Sequence, residues 1–160
     1  MKNSALLLDF HDRAHRSFAL CLAHAGQLSA EQLDTELEGF GYPTVREQLQ
    51  HAIGAERYWL SVVAGAMDAS EDAADAATVE ALEAFRARVA ATTRTYLEGA
   101  SDEELTARRA MTTYHGDAEL VPMHVLMRTQ VHLFHHIGQI AAMCRLLGHP
   151  LPPGGDFPLT

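Results

Sequence analysis

Apolar residues recur at intervals of three and four along most of the chain, the spacing of one buried helical face. From Ser4 to about Gly26 that rhythm is carried by Leu6, Leu7, Phe10, Ala14, Phe18, Cys21 and Ala25, and Gly26 is a natural stop. Ser29-Ala30-Glu31-Gln32 has the pattern of a capping box and predicts a short helix closed by Gly39 and Gly41. Thr44-Val45-Arg46-Glu47 repeats the pattern directly after Pro43. It opens a second long helix to about Val63, before Gly65. Met67 to Ala77 holds Asp68, Glu71, Asp72 and Asp75 without a base, which predicts a solvated connection with at most a helical turn. A third long helix follows from about Thr78 to Leu97, and its start favours the acids that precede it. Ser101-Asp102-Glu103-Glu104 is a third capping box, opening a short helix to about Ala110. Met111 to Glu119, around Gly116, predicts a loop or at most a weak hairpin. Pro122 suits the first turn of a last long helix, ending at Leu147 before Gly148 and Pro150. The tail from 148 to 160 is Pro-rich and irregular, and is expected to lie over the surface. Four long helices of about 20 residues, each about 30 Å long, make an all-α four-helix bundle with short extra helices.

Composition narrows the function. The 160 residues form a single domain, 1–160, with 48% hydrophobic and 21% charged residues. No apolar run is long enough to span a membrane. The N-terminus meets Asp9 and Asp12 too early for a signal peptide, so a cytoplasmic location is expected. Cys21 and Cys144 cannot build a disulfide framework and read as small buried hydrophobes. The net charge of −9, with Lys2 the sole lysine, argues against phosphate-driven nucleic-acid binding.

The unusual feature is ten histidines. His132 and His136 are four apart on the last helix, one above the other. At about 100° per residue, Val125, His132, His136, Gln139 and Met143 fall within roughly 60° of arc. Two imidazoles at this spacing can converge on one metal ion if another helix supplies a third. His51, midway along the second long helix, shares its stripe with Ala55, Tyr58 and Val62, while Arg46, Glu56 and Arg57 fall mostly elsewhere. Three neutral histidines would leave a position open, as in a catalytic zinc site. The bland alternative is a set of hydrogen-bonded core histidines. His135 is about 60° off the ligand face and is a candidate for lining a pocket. His11 and His15 form a second pair at the same spacing, but among Asp9, Asp12, Arg13 and Arg16 they read as solvent-facing. His24, His115, His124 and His149 read as surface or loop, with His115 a candidate for a pocket mouth. No Glu follows His132 in the H-E-x-x-H manner, so a zincin-type base is missing.

Two segments resemble the DinB/YfiT-like metalloproteins. One is His51-Ala52-Ile53-Gly54-Ala55-Glu56-Arg57-Tyr58-Trp59-Leu60, a histidine followed by an acidic and an aromatic position. The other is His132-Leu133-Phe134-His135-His136-Ile137-Gly138-Gln139-Ile140, a histidine, three residues, a histidine, one residue, then Gly-Gln-Ile. The resemblance covers about residues 4–148 and maps the family's three metal ligands onto His51, His132 and His136. Family members often have Arg after the last ligand, where this chain has Ile137. The resemblance implies an up-down-down-up bundle, in keeping with the long connection at 64–77. It also implies one divalent metal, zinc or nickel, and a homodimer. The family name comes from DNA-damage induction and implies no DNA contact.

The relatives with known chemistry imply a thiol S-transferase acting on a small molecule, in which the metal ionises a low-molecular-weight thiol such as bacillithiol for attack on an electrophile. Gln139 would orient a ligand histidine or a water, and Tyr58 would offer a hydroxyl. Trp59 reads as packing or dimer contact. Two alternatives stand beside this. One is a hydrolase using metal-activated water, for which Glu47 is the nearest carboxylate, more simply a capping residue. The other is a metal-binding stress protein without turnover.

Overall fold

The structure is a computed structural model that describes residues 2–153 and 155–160. Most of its helices begin where a side chain can satisfy the free N–H groups of a first turn. Helix α1 spans Asn3–Ala25; its first N–H is taken by Asp102 Oδ1 at 2.9 Å. The short α2, Ala30–Leu33, and the long α3, Val45–Val63, both carry complete capping boxes, from Ser29 with Gln32 and from Thr44 with Glu47. Glu47 is therefore a cap. A 3-10 turn at Ala73–Ala76 interrupts the acidic connection. Helix α4 follows at Val79–Gly99, capped by the Thr78 side chain. The next helix, α5, is shorter than its pattern suggests, Asp102–Thr106. Its Ser101 cap is made, but the Glu104 carboxylate accepts from the Tyr96 hydroxyl at 2.8 Å instead of closing the box. Helix α6 runs Pro122–Leu146 with proline in its first turn.

Between α5 and α6 the chain forms a hairpin, β1 Arg109–Thr113 with β2 Gly116–Leu120, antiparallel, the more ordered of the two forms its sequence suggests. Gly116 adopts φ +103° at the turn, a region a side chain would strain. The hairpin is held by burial of Met111 against Tyr58, Val62, Val63 and Val125.

Contacts between the long helices fix their directions. Asp12 pairs with Arg94, and Asn3 with Asp102, so α1 and α4 are antiparallel. Gln48 meets Gln139 and His51 meets His132, so α3 and α6 are antiparallel. Arg46 reaches the carbonyls of Ala76 and Ala77, and Glu56 meets Thr93, so α3 and α4 run together. Leu7 packs in one cluster with Leu126, and His24 donates to the His149 carbonyl, so α1 and α6 also run together. The order is up-down-down-up. Parallel α3 and α4 need the long crossover at 64–78. The main core joins Ala14, Phe18, Leu49, Ile53, Leu82, Phe85, Leu133 and Ile140. The tail crosses α1 and α6: the Phe157 ring lies 5.4 Å from Phe10 and 6.0 Å from Phe134, and Arg13 donates to the Pro158 carbonyl.

Candidate metal centre

Antiparallel packing of α3 on α6 brings His51, His132 and His136 together. His132 Nε2 lies 3.2 Å from His51 Nε2 and 3.1 Å from His136 Nε2. The Tyr42 ring stacks on His51 with centroids 4.0 Å apart.

Hydrogen bonds settle the protonation of His136. The Tyr42 backbone carbonyl can only accept, so the Gln48 amide nitrogen, 2.8 Å away, must be the end that faces it. The same nitrogen donates to Gln139 Oε1 at 2.8 Å. Gln48 Oε1 is thus turned to His136 Nδ1, at 2.5 Å. His136 Nδ1 carries the proton and donates, and His136 Nε2 presents a lone pair to the other two rings. The Gln139 amide nitrogen in turn donates to His135 Nε2. One directed chain therefore runs from His136 through Gln48 and Gln139 to His135.

The rings are neutral near pH 7. Burial, then the neighbouring His51, Arg128 and His135, lowers His132 to about 4. Burial, then His132, His51 and His135, lowers His136 to about 3. Burial also lowers His51. His132 Nε2 has two nitrogens beside it and at most one proton to share between them, so lone pairs are left facing one another. A cation at their centre removes that repulsion. Zinc–nitrogen bonds of about 2.0–2.1 Å place tetrahedral ligands about 3.4 Å apart, close to the spacing here. The donor set fits a divalent ion and can hold one.

Beside His51 and His132 opens a cavity of about 280 Å³. Tyr42, Tyr58, Trp59 and Tyr114 form aromatic walls, and Arg57, Arg128, Ser70 and Glu71 supply polar groups. Arg128 lies over the Trp59 ring at 5.0 Å. Among the described residues, the buried Nε of Arg57 has no hydrogen-bond partner. A model of the DinB family matches residues 1–160. The chain belongs to the DinB family. No curated protein matches it.

Other candidate residues of this DinB chain surround the centre at different distances from the cavity. Tyr58 lines the cavity; its hydroxyl oxygen accepts the Tyr114 N–H at 3.0 Å, which leaves its own O–H free to donate. His135 is exposed and outside the cavity lining. His115 is exposed too, and its neighbour Tyr114 reaches the cavity instead. Trp59 packs against the cluster of Tyr58, Val62 and Val125, as expected, and also walls the cavity. Gln48 escaped notice because a polar residue on a capped first turn looks solvated; lying three residues before His51 was the available signal. Glu71 comes from irregular chain, where no periodicity could place it.

The clearest correction concerns His11 and His15. Far from facing solvent, they are 2% and 6% exposed. They turn toward Glu56, which is 1% exposed. Cys21 and Cys144 are buried, free thiols.

Proposed function

We propose that this DinB protein is a metal-dependent thiol S-transferase, with His51, His132 and His136 as the ligands of one divalent ion, zinc or nickel. An ion held there supplies acidity to a coordinated thiol, lowering its pKa so that sulfur is nucleophilic near neutral pH. The observation that carries the thiol reading is the pairing of that centre with two arginines in one cavity. Among the described residues, no carboxylate forms an ion pair with Arg57 or Arg128. Bacillithiol and glutathione carry carboxylates, and guanidinium forks bind carboxylates in two-pronged geometry. Arg57 and Arg128 would hold the cofactor's acid groups and Ser70 would add a polar contact. Tyr42, Trp59 and Tyr114 would exclude water around the electrophile. Sulfur bonds to carbon as the leaving group departs with its electron pair, and Glu71 at the rim can accept the thiol proton. Gln48 keeps His136 in the tautomer with Nε2 free.

The test begins with metal content by mass spectrometry on tag-free protein, wild type beside His51→Ala and His132→Ala. It continues with bacillithiol, mycothiol, glutathione and coenzyme A against a haloalkyl electrophile. Conjugate formation that needs the metal, His51 and Arg128 is the expected result. Turnover of ester or amide substrates without thiol would replace this reading with the hydrolase. Bound metal with no turnover in either screen would leave a metal-binding stress protein.

A further inference from the structure

On the far side of α3 lies a second cluster that the proposed chemistry does not use. Glu56 Oε2 is 2.8 Å from His15 Nε2, and Glu56 Oε1 is 3.3 Å from His11 Nε2. The Thr93 hydroxyl donates to Oε1 at 2.7 Å. His11 has a carboxylate at each ring nitrogen, since its Nδ1 lies 3.3 Å from Asp12 Oδ1. With Nδ1–H turned to Asp12, the Nε2 lone pair faces a carboxylate oxygen, and this buried nitrogen has no hydrogen-bond partner among the described residues. Two lone-pair atoms at that separation repel unless positive charge lies between them. The separation is also the edge of a zinc coordination tetrahedron, about 3.4 Å.

We propose that His11, His15 and Glu56 form a second divalent-cation site, separate from the three-histidine centre. Two imidazoles and one carboxylate suit zinc. Glu56 brings one negative charge to the site, since the charge of Asp12 is already balanced by Arg94. Asp12 stands on the remote nitrogen of His11, where a carboxylate commonly orients a metal-binding imidazole, and Arg94 anchors it at 2.6 Å. Thr93 fixes the rotamer of Glu56. A surface cavity between α1 and α4, lined by His11, His15 and Asp12, gives solvent a route to the cluster. Arg86 Nη1 lies 3.4 Å from His15 Nδ1. A guanidinium can only donate, so without a cation the His15 proton sits on Nε2 and faces Glu56; binding a cation there moves that proton to Nδ1 and turns Arg86, still held by both oxygens of Glu83, away from the ring. A doubly protonated His11 bridging the two carboxylates is the rival account of the same geometry.

The test uses tag-free protein carrying His132→Ala, which removes the first centre, with and without His11→Gln. Both are equilibrated with zinc and then dialysed, and zinc per chain is measured by mass spectrometry. Cobalt absorption and thermal melting are recorded on the same samples, so that loss of fold is seen directly. One zinc per chain in the His132→Ala protein, lost on adding His11→Gln while the melt stays cooperative, is the expected result. If His11→Gln melts without a cooperative transition, His15→Gln in the same background replaces it, with the same loss expected. Zinc content unchanged by the substitution, or no zinc in the folded His132→Ala protein, would overturn the proposal in favour of the protonated ion pair.

Discussion

Gln48 offers the sharpest probe of the proposed metal site, because it lies outside the cavity lining and would act on a bound ion only through His136. Gln48→Leu keeps the volume and removes the acceptor for His136 Nδ1–H. Three groups lose a partner: His136 Nδ1, the Tyr42 carbonyl and Gln139 Oε1. Tyr42 is 37% exposed and Gln139 half-buried, so both can turn to water; His136, at 3% exposed, cannot. One stranded buried donor costs about 1–3 kcal/mol, which is the expected loss of stability in the metal-free protein. Freed of its acceptor, His136 can take the other tautomer, with the proton on Nε2 and no lone pair for an ion. Loss of a group that orients a metal-binding histidine costs about 10–100-fold in affinity, or about 1.4–2.7 kcal/mol.

The assay is zinc competition against a chromophoric chelator in a His11→Gln background, with urea unfolding of the metal-free protein measured in parallel. Gln48→Glu separates the two effects. Its carboxylate still accepts from His136 Nδ1–H, and more strongly, so zinc affinity is expected within a few-fold of the parent. It also sets an anion against the Tyr42 carbonyl and Gln139 Oε1, so stability is expected to fall as it does in Gln48→Leu. Wild-type affinity in Gln48→Leu, or equal loss in the two variants, would refute the tautomer argument.

Three further outcomes follow from the same geometry. Burial pushes the Cys21 thiol up to about 12 and the Cys144 thiol up to about 11, so Ellman's reagent at about pH 8 should find neither in the native protein and both in denaturant. Burial alone would raise the Glu56 carboxyl, but the charge and hydrogen bonds of His15, then of His11, bring it well below its ordinary 4.5. Its stabilising effect is therefore complete above that value and lost as pH falls below it, and urea midpoints from pH 6 downward should fall less steeply in Glu56→Gln than in wild type. Phe157→Ala removes two aromatic contacts, at 5.4 and 6.0 Å; at about 0.5–1.5 kcal/mol each the loss is about 1–3 kcal/mol, a drop of several degrees in Tm by calorimetry.

The bundle was legible because its punctuation is local. Ser29, Thr44 and Thr78 cap the helices they precede, and Pro122 opens α6. His132 and His136 were legible because spacing of four fixes a shared face. The hairpin was legible only as a weak alternative to a loop, because Tyr114-His115 is a poor turn signal and Gly116-Asp117-Ala118-Glu119-Leu120 is poor strand; contacts distant in sequence, from Met111 and Tyr58, stabilise it. His11 and His15 were misread from their charged neighbours. Counting about 100° per residue from Leu7, His11 falls between Phe18 and Leu22, inside the buried arc, and His15 at its edge. Asp9, Asp12, Arg13 and Arg16 were true surface residues, but they describe the other side of the same helix.

Glu56 was hidden for a different reason, and that reason bears on how the two clusters act on each other. A helix at the edge of a bundle has one buried face, and polar residues off that face are solvated. Helix α3 packs on α4 and α6, and its remaining inner face looks across the bundle to α1. Glu56 lies five residues beyond His51, about 140° around the helix and about 7.5 Å along it. It thus leaves the His51 stripe without leaving the interior. Successive turns of α3 hold His51 toward α6 and Glu56 toward α1, with Ala52 and Ile53 packed in the core between them. Sites joined only by close-packed apolar side chains and lying beyond about 7–10 Å act nearly additively, whereas a shift of α3 along its axis would move both donor sets at once. A thermodynamic cycle over His132→Ala and His11→Gln decides between these. Stability losses that add to within about 0.5 kcal/mol mean α3 is a rigid partition between independent sites. A larger coupling means that filling one cluster changes the geometry offered by the other.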